Sequence, residues 1–352
     1  MDTKDFVASF RKEFGTDSIF LLGEDEVLTD IKVRSSGSLL LDLAMGGGFA
    51  QGRLTLLQGA AKAGKTSIAC LAIAEAQKNE PDKDNIVIDL ENSFNPDWAK
   101  TLGVDIDKLM VVQPDTHAEK VYDMIEYMLK EGNFSYIVLD SLDGLVPKEE
   151  LEETDWDKES RVGGTAKLNS KAMRKIVNSG LLRESATSLI FIQQLRDRIG
   201  SFSLYGTPTT VAGGRSIQHA ATHILEVAIG DYFTKGAGSD RKYFGQQIRV
   251  KVTKNKIAPP FRQATIDLYY EHGVDKIAEL VAVAKEIGVL QGSNWLTLVD
   301  PRTGEVMEDE EGNVLKWNGT KKTQEAIMND IKNGEGKLYF KIFNLVQDIV
   351  RG

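Results

Sequence analysis

The segment Gly59-Ala60-Ala61-Lys62-Ala63-Gly64-Lys65-Thr66 fits the pattern G-x-x-x-x-G-K-[ST] at every fixed position. Residues of those types at that spacing make a phosphate cradle. The two glycines let the backbone curl so that successive N–H groups point inward, Lys65 reaches the β- and γ-phosphates, and the Thr66 hydroxyl ligates Mg²⁺. Ser67 completes the set of expected nucleotide contacts. An apolar run, Leu54–Gln58, directly precedes the loop, and a helix over about Lys65–Lys78 follows it and adds its positive end to the cradle. The chain is therefore expected to bind a nucleoside triphosphate with Mg²⁺.

Three further groups stand where such chemistry would use them. Asp140, followed by Ser141, ends the apolar run that begins at Tyr136, the place where a strand tip offers a carboxylate to the Mg²⁺ shell. Apolar runs ending in Asp are common, so the pairing with the phosphate loop is what favours a metal role over a plain strand end. Glu91 closes the run Ile86–Leu90 at the same edge, where a carboxylate can orient and deprotonate an attacking water. Spacing alone leaves a solvated loop glutamate equally open. Gln193-Gln194 closes the run Ser188–Ile192, and an amide there can touch the γ-phosphate and report its presence to the following loop. Taken alone it reads as an ordinary strand-end amide.

These residues need a scaffold, and the rest of the chain describes one. Its 352 residues exceed what one core usually organises, so a large domain plus a smaller one is expected. Strand and helix signals alternate as in a mostly parallel sheet covered on both faces, the α/β class. Strands are predicted at 54–58, 86–90, 109–112, 136–140, 188–193, 224–229, 247–253 and 264–269; helices from about Pro96, at 117–131 and at 165–183. Gly200–Gly214 is rich in Gly, Ser and Thr and reads as a mobile loop. From about Glu271, helical patterns and the acidic, turn-rich stretch Asp300–Asn313 suggest a separate C-terminal domain. The net charge of −9 argues against diffuse affinity for nucleic acid or anionic membrane, so any nucleic-acid contact must be locally basic. The single cysteine, Cys70, sits among apolar helix residues and reads as a small core hydrophobe. The N-terminus has no apolar signal region and no run approaches the ~18 apolar residues of a membrane helix, so a cytoplasmic, reducing compartment with no membrane partner is expected.

Longer stretches carry a resemblance. They are Glu13-Phe-Gly with Ser18-Ile-Phe-Leu-Leu-Gly-Glu-Asp25, Ser36-Gly-Ser-Leu-Leu-Leu-Asp-Leu-Ala44, Leu102-Gly-Val-Asp-Ile-Asp107, Gln113-Pro-Asp-Thr116, Ala172-Met-Arg-Lys175 and Lys251-Val-Thr-Lys-Asn-Lys-Ile-Ala258. With the phosphate loop they resemble a RecA-family recombinase in register over about residues 10 to 273. The resemblance implies a RecA-type P-loop ATPase core at 31–270, an N-terminal oligomerisation segment at 1–30 and a small α+β C-terminal domain at 271–352.

It also implies roles. Glu91 would be the catalytic base, Asp140 would hold the Mg²⁺-bound water, and Gln194 would couple the γ-phosphate of ATP to DNA-binding loops. Trp98 would stack on adenine where relatives often carry Tyr, with helix packing as its alternative; Asn95 and Tyr270 would be further base contacts. Lys254 and Lys256, by periodicity two solvated lysines on one strand face, would reach the ATP of the next subunit and stabilise its transition state only in an assembly. DNA contacts would come from Arg161, Gly163, Gly164, Lys167 and Arg174 around a first, acidic loop. A second loop would add Arg196, Arg198, Phe202, Tyr205, Gly213, Gly214 and Arg215, a mixture of cations, aromatics and backbone donors that can track phosphates without reading sequence. In the first loop Trp156 is either an apolar wedge or a packing residue. Ile19 and Phe20 would dock on an adjacent subunit, and open head-to-tail contacts of that kind build helical filaments.

The function implied is an ATP-dependent recombination protein that polymerises on single-stranded DNA, searches double-stranded DNA and exchanges strands. One rival within the fold is a ring-forming motor ATPase; another, of a different class, is a DNA-coating protein that holds nucleotide only as a structural ligand. The sequence ends at Val350-Arg-Gly352 without the long acidic tail of many relatives and carries Glu305 and Glu308-Asp-Glu-Glu311 internally, so less restrained duplex capture is expected.

Overall fold

A computed structural model describes residues 2–15, 19, 31–154, 164–197, 209–210, 215–236, 238–334 and 336–350. Residues 1–33 and 34–352 form two compact units.

In the first unit, helix α1 spans Thr3–Phe14. The Asp2 carboxylate accepts from the Lys4 and Asp5 N–H groups at its start, and Gly15, at φ +57°, ends it in the left-handed region. Phe6, Phe10 and Phe14 follow one another at i, i+4 spacing with ring centroids 6.1 and 4.5 Å apart, and Phe6 and Phe14 are exposed.

The second unit is built on a nine-stranded sheet. Its strands are β1 (Leu54–Gly59), β2 (Asp84–Asp89), β3 (Leu109–Val112), β4 (Phe134–Asp140), β5 (Ser188–Gln194), β6 (His223–Lys235), β7 (Lys242–Asn255), β8 (Gln263–Tyr269) and β9 (Gly273–Val274). They lie in the order β9-β8-β7-β6-β1-β5-β4-β2-β3. The six strands from β6 to β3 are parallel, and β7, β8 and β9 add antiparallel at one edge. Every residue of β1 and β4 is buried, as expected of parallel strands covered on both faces.

The alternation of side chains sorts the core into two layers. Leu57, Val87, Val138, Ile190 and Leu225 point to one face and pack with Ile68, Leu71 and Ile73 of α3 (Lys65–Asn79). Leu56, Ile88, Leu139, Leu189 and Phe191 point to the other. There they meet Val121, Tyr122, Ile125 and Leu129 of α5 (Ala118–Glu131). Between α3 and α5 lies the short α4 (Pro96–Thr101); upstream, α2 covers Leu39–Met45, and after β4 comes the short α6 (Lys148–Leu151).

The helix expected at 165–183 is not continuous, which corrects that reading. Helix α7 (Gly164–Met173) widens into a π turn at Arg174–Asn178, where the Ser179 N–H reaches back five residues to the Arg174 carbonyl. Gly180, at φ +93°, then stops the chain before α8 (Leu181–Ser185). Two strands are also longer than their apolar runs. The β6–β7 hairpin spans 223–255, where 224–229 and 247–253 were expected.

After β9 the chain runs through α10 (Lys276–Glu286), a three-stranded antiparallel sheet of β10 (Leu290–Gln291), β11 (Trp295–Leu298) and β12 (Lys316–Asn318), then α11 (Gly319–Lys332) and α12 (Lys337–Val350). Leu280, Val283, Leu296, Leu298, Ile327, Ile342 and Val346 form a third hydrophobic cluster, which Leu39 of α2 joins. None of the described helices is long and apolar enough to cross a membrane.

Candidate functional site

The carboxyl ends of β1, β2, β4 and β5 converge on one edge of the sheet, where open α/β folds place their ligands. Gly59 is the last residue of β1, and α3 begins at Lys65 after Gly64, which takes φ +99°. Gly59 is required by close approach of backbone, and Gly64 by its left-handed φ. A Cβ on Gly59 would lie 2.0 Å from the Val227 carbonyl oxygen, and one on Gly64 would lie 2.5 Å from Ile248 Cδ1. No side chain caps α3, so its first N–H groups face the loop.

Lys65 is buried and donates to the Gly59 and Ala60 carbonyls at 3.0 and 2.7 Å. Burial draws its pKa down, and the carboxylates of Asp140, Glu91 and Asp143 oppose that pull. Thr66 Oγ1 donates to Asp140 Oδ2 at 2.6 Å. Burial lifts the Asp140 carboxyl above its ordinary range, neighbouring Glu91 and Asp89 add to the lift, and Thr66 and Lys65 counter it. Among the described residues no three His, Cys, Asp or Glu side chains cluster as a metal cage. One hydroxyl beside one carboxylate is instead the donor set that suits Mg²⁺, which keeps several waters and shares its shell with phosphate oxygens.

Glu91 is exposed, and its Oε1 accepts from Ser141 Oγ at 2.6 Å and from Gln194 Nε2 at 2.9 Å. The Asp140–Ser141 peptide is cis. The Gln194 N–H donates to Asp143 Oδ2 at 2.8 Å, and the next N–H, that of Leu195, donates to the Gly59 carbonyl at 3.0 Å. The root of the second loop is thus bonded to both the candidate base and the phosphate loop. Ser141 was named only as the residue after Asp140, and Asp143 and the Leu195 amide were not singled out from sequence, because an apolar-run pattern carries no information about which polar groups meet across adjacent strand ends. Asp89 was also missed: it accepts from the Ser93 and Phe94 N–H groups and from Gln113 Nε2, and so shapes the turn that carries Glu91.

Trp98 lies on α4, with its indole N–H donating to Ser67 Oγ at 3.0 Å and its ring edge-on to Tyr270 at 6.4 Å. The two rings stand beside the phosphate loop, while Asn95 Oδ1 caps α4 by accepting from the Trp98 N–H at 3.0 Å.

Lys254 and Lys256 are not at this edge. Lys254 pairs with Ile224, which pairs with Leu56, three residues short of Gly59 and about 10 Å back along the strand. Its ammonium donates to the Gln218 and His219 carbonyls at 2.7 and 3.0 Å, at the end of the short helix α9 (Ser216–Ala220). Burial, then the charge of Lys256, pulls its pKa down. Lys256 is exposed.

Of the candidate DNA contacts, Arg161, Gly163, Arg198, Phe202, Tyr205, Gly213 and Gly214 lie outside the described residues, as does Trp156. Gly164 opens α7, which presents Lys167 exposed; the exposed Arg174 donates to Ser170 Oγ at 3.1 Å. The backbone of Arg196–Asp197 pairs antiparallel with Thr209–Thr210, and exposed Arg215 directly precedes α9. In the first unit the Ile19 carbonyl accepts from the Arg11 guanidinium; Phe20 lies outside the described residues.

A sequence model of the RecA N-terminal domain matches residues 3–275. The chain is 37% identical over 305 residues to Protein RecA of Chlorobaculum tepidum, which covers 86% of this chain and 84% of that protein. It is 39% identical over 300 residues to Protein RecA of Oceanobacillus iheyensis, covering 85% and 82%. Against Protein RecA of Lactococcus lactis subsp. cremoris it is 37% identical over 308 residues, covering 86% and 76%.

Proposed function

Because the chain belongs to the RecA family, we propose how its residues carry out the recombinase role in DNA recombination and repair that membership brings. The core binds ATP with Mg²⁺ in the cytoplasm and assembles as a helical filament on single-stranded DNA, which then engages double-stranded DNA. Gly59 to Ser67 wrap the phosphates, and Trp98 and Tyr270 flank the base, with Asn95 beside them. Thr66 and Asp140 hold Mg²⁺, which supplies charge neutralisation at the phosphates. Glu91 orients and deprotonates the attacking water. Lys254 and Lys256 act on the nucleotide of a neighbouring subunit, and their position about 10 Å behind their own Gly59 supports this, since it removes them from their own phosphate site. The arginines, lysines, aromatics and glycines of the two loops bind DNA, and residues 1–30, with Ile19 and Phe20, join subunits, a reading supported by the Phe6–Phe10–Phe14 stripe, whose two end rings are exposed.

One observation carries the reading: Gln194 Nε2 donates to Glu91 at 2.9 Å. The same side chain that holds the candidate base stands at the root of the second loop, so ordering that loop on DNA bears directly on Glu91. Steady-state ATP hydrolysis with and without single-stranded DNA tests it. Single strand should stimulate the intact protein strongly, and Gln194→Ala should keep DNA binding but lose most of that stimulation. Hydrolysis indifferent to DNA in the intact protein would favour a ring motor and sink the proposal.

A further inference from the structure

We propose that the aromatic tip of the β6–β7 hairpin is a docking surface for a second copy of this chain and that it receives Phe261. The inference rests on the assignment of Lys254 and Lys256 to a neighbour's nucleotide and deepens it.

The hairpin outruns the sheet. Strand β6 last pairs with β1 at Val227 and Gly59, and β7 last pairs with β8 at Gly245 and Tyr269. Beyond Val227, β6 keeps only β7 as a neighbour, and β7 keeps β8 as far as Gly245 and Tyr269, so strands β6, β7 and β8 project past the phosphate loop by about 25 Å and end in a two-stranded tip of Thr234–Lys235 with Lys242–Tyr243. This extension carries large apolar groups outward: Tyr232, Tyr243 and Phe244 are 48, 54 and 46% exposed. The rings are organised. Tyr232 and Tyr243 meet edge-on at 5.5 Å, while Phe233 stacks on Tyr269 at 5.2 Å. Tyr232 also lies close enough to Tyr270 to help raise its phenol pKa, behind the larger effect of burial, so the exposed rings continue into the pair Tyr270–Trp98 beside the phosphate loop. Contiguous exposed aromatics of this kind mark a contact site.

The occupant is identified at the opposite edge of the sheet. Phe261 is 66% exposed and takes φ +70°, a conformation that a bulky side chain adopts only where surrounding structure imposes it. Its N–H donates to the Val252 carbonyl at 2.6 Å, which fixes it in the turn that follows Lys254 and Lys256. Head-to-tail contacts join unlike edges. When the two lysines of one copy reach the phosphates of the next, Phe261, five residues after Lys256, is carried to the edge where that copy's Tyr232 and Tyr243 stand. Aromatic side chains meeting edge-to-face or offset supply both area and orientation.

The test uses the full chain, single-stranded DNA, Mg²⁺ and a non-hydrolysable ATP analogue. Cys70 is buried and its thiol pKa is pushed up to about 12, so it stays silent towards maleimides. Phe261→Cys protein mixed with Tyr243→Cys protein should be joined by a short bis-maleimide into heterodimers, and the doubly substituted chain into a ladder of multimers. Tyr232→Ala with Tyr243→Ala, and separately Phe261→Ala, should keep the thermal midpoint and weaken assembly about two- to tenfold per contact. Filaments of normal length from these variants, with no heterodimer formed, would overturn the docking surface and leave the trans lysines standing. If the intact protein forms no filaments at all, both fall.

Discussion

A single oxygen of Glu91 accepts hydrogen bonds from Ser141 and Gln194, at 2.6 and 2.9 Å. Those donors fix the carboxylate's rotamer while its other oxygen remains to meet a water. Glu91→Gln keeps the shape and removes the proton acceptor. It should lower ATP turnover by about 10²–10⁴-fold while ATP-dependent DNA binding persists; residual turnover near the intact level would show that another group is the base. At this scale the sequence was most informative where backbone geometry is written into residue type. Gly59 is needed because the Val227 carbonyl leaves no room for a Cβ, and Gly64 because it takes φ +99°; both were legible in the loop pattern. What was not legible is contact across strand ends. The Ser67 bond to Trp98 joins residues 31 apart, and the bond of Gln194 to Glu91 joins residues 103 apart. No local pattern encodes such partners.

Between elements, the junction of α10 with the start of α2 has a titratable group at its centre. Glu279 is 5% exposed and accepts from Ser38 Oγ at 2.7 Å and from the Leu39 N–H at 3.0 Å. Burial first, then Asp42, pushes its pKa up from 4.5 to about 7, against Ser38, Lys276 and the Leu39 amide. Because the folded pKa lies above the unfolded one, the folded state holds the proton more tightly. The resulting stability is complete below pH 4.5 and is lost as pH rises towards 7, by about 3 kcal/mol. Glu279→Gln keeps an acceptor for Leu39 and removes the titration. The thermal midpoint of the variant should therefore vary less between pH 4.5 and 7 than that of the intact chain, and equal slopes would refute the assignment. Element boundaries divided in the same way between legible and hidden. Strand Leu109–Val112 was readable to the residue, since it is a short apolar run closed by Gln113-Pro114. The helix after Gly164 was read as unbroken because Leu168, Ala172, Met173 and Ile176 keep apolar spacing through the π turn. The hairpin was read short because Gly230 interrupts it and because a projecting ribbon lacks the apolar alternation that burial imposes.

For the whole molecule, the separation of the phosphate loop from Lys254 and Lys256 underlies the proposal that one active site is the property of two subunits. Lys65→Ala disables the nucleotide's own cradle, whereas Lys254→Ala with Lys256→Ala disables what a subunit offers its neighbour. Neither protein should turn over ATP alone. Mixed in equal amounts and allowed to co-assemble, they should recover about a quarter of intact turnover, the share of random head-to-tail junctions that pair a whole cradle with whole lysines. Turnover no greater than that of the separate proteins would place the lysines in some other role.

The same separation makes the two ends of the proposed filament chemically unlike. At one end a nucleotide lies in a complete cradle with no subunit beyond it to bring lysines; at the other, a pair of lysines faces solvent with nothing to act on. The first kind of end keeps its triphosphate while the interior spends its own, and so behaves as a stable cap. Growth and loss along DNA then acquire a direction set by where one strand pairing, Lys254 with Ile224, falls along the sheet.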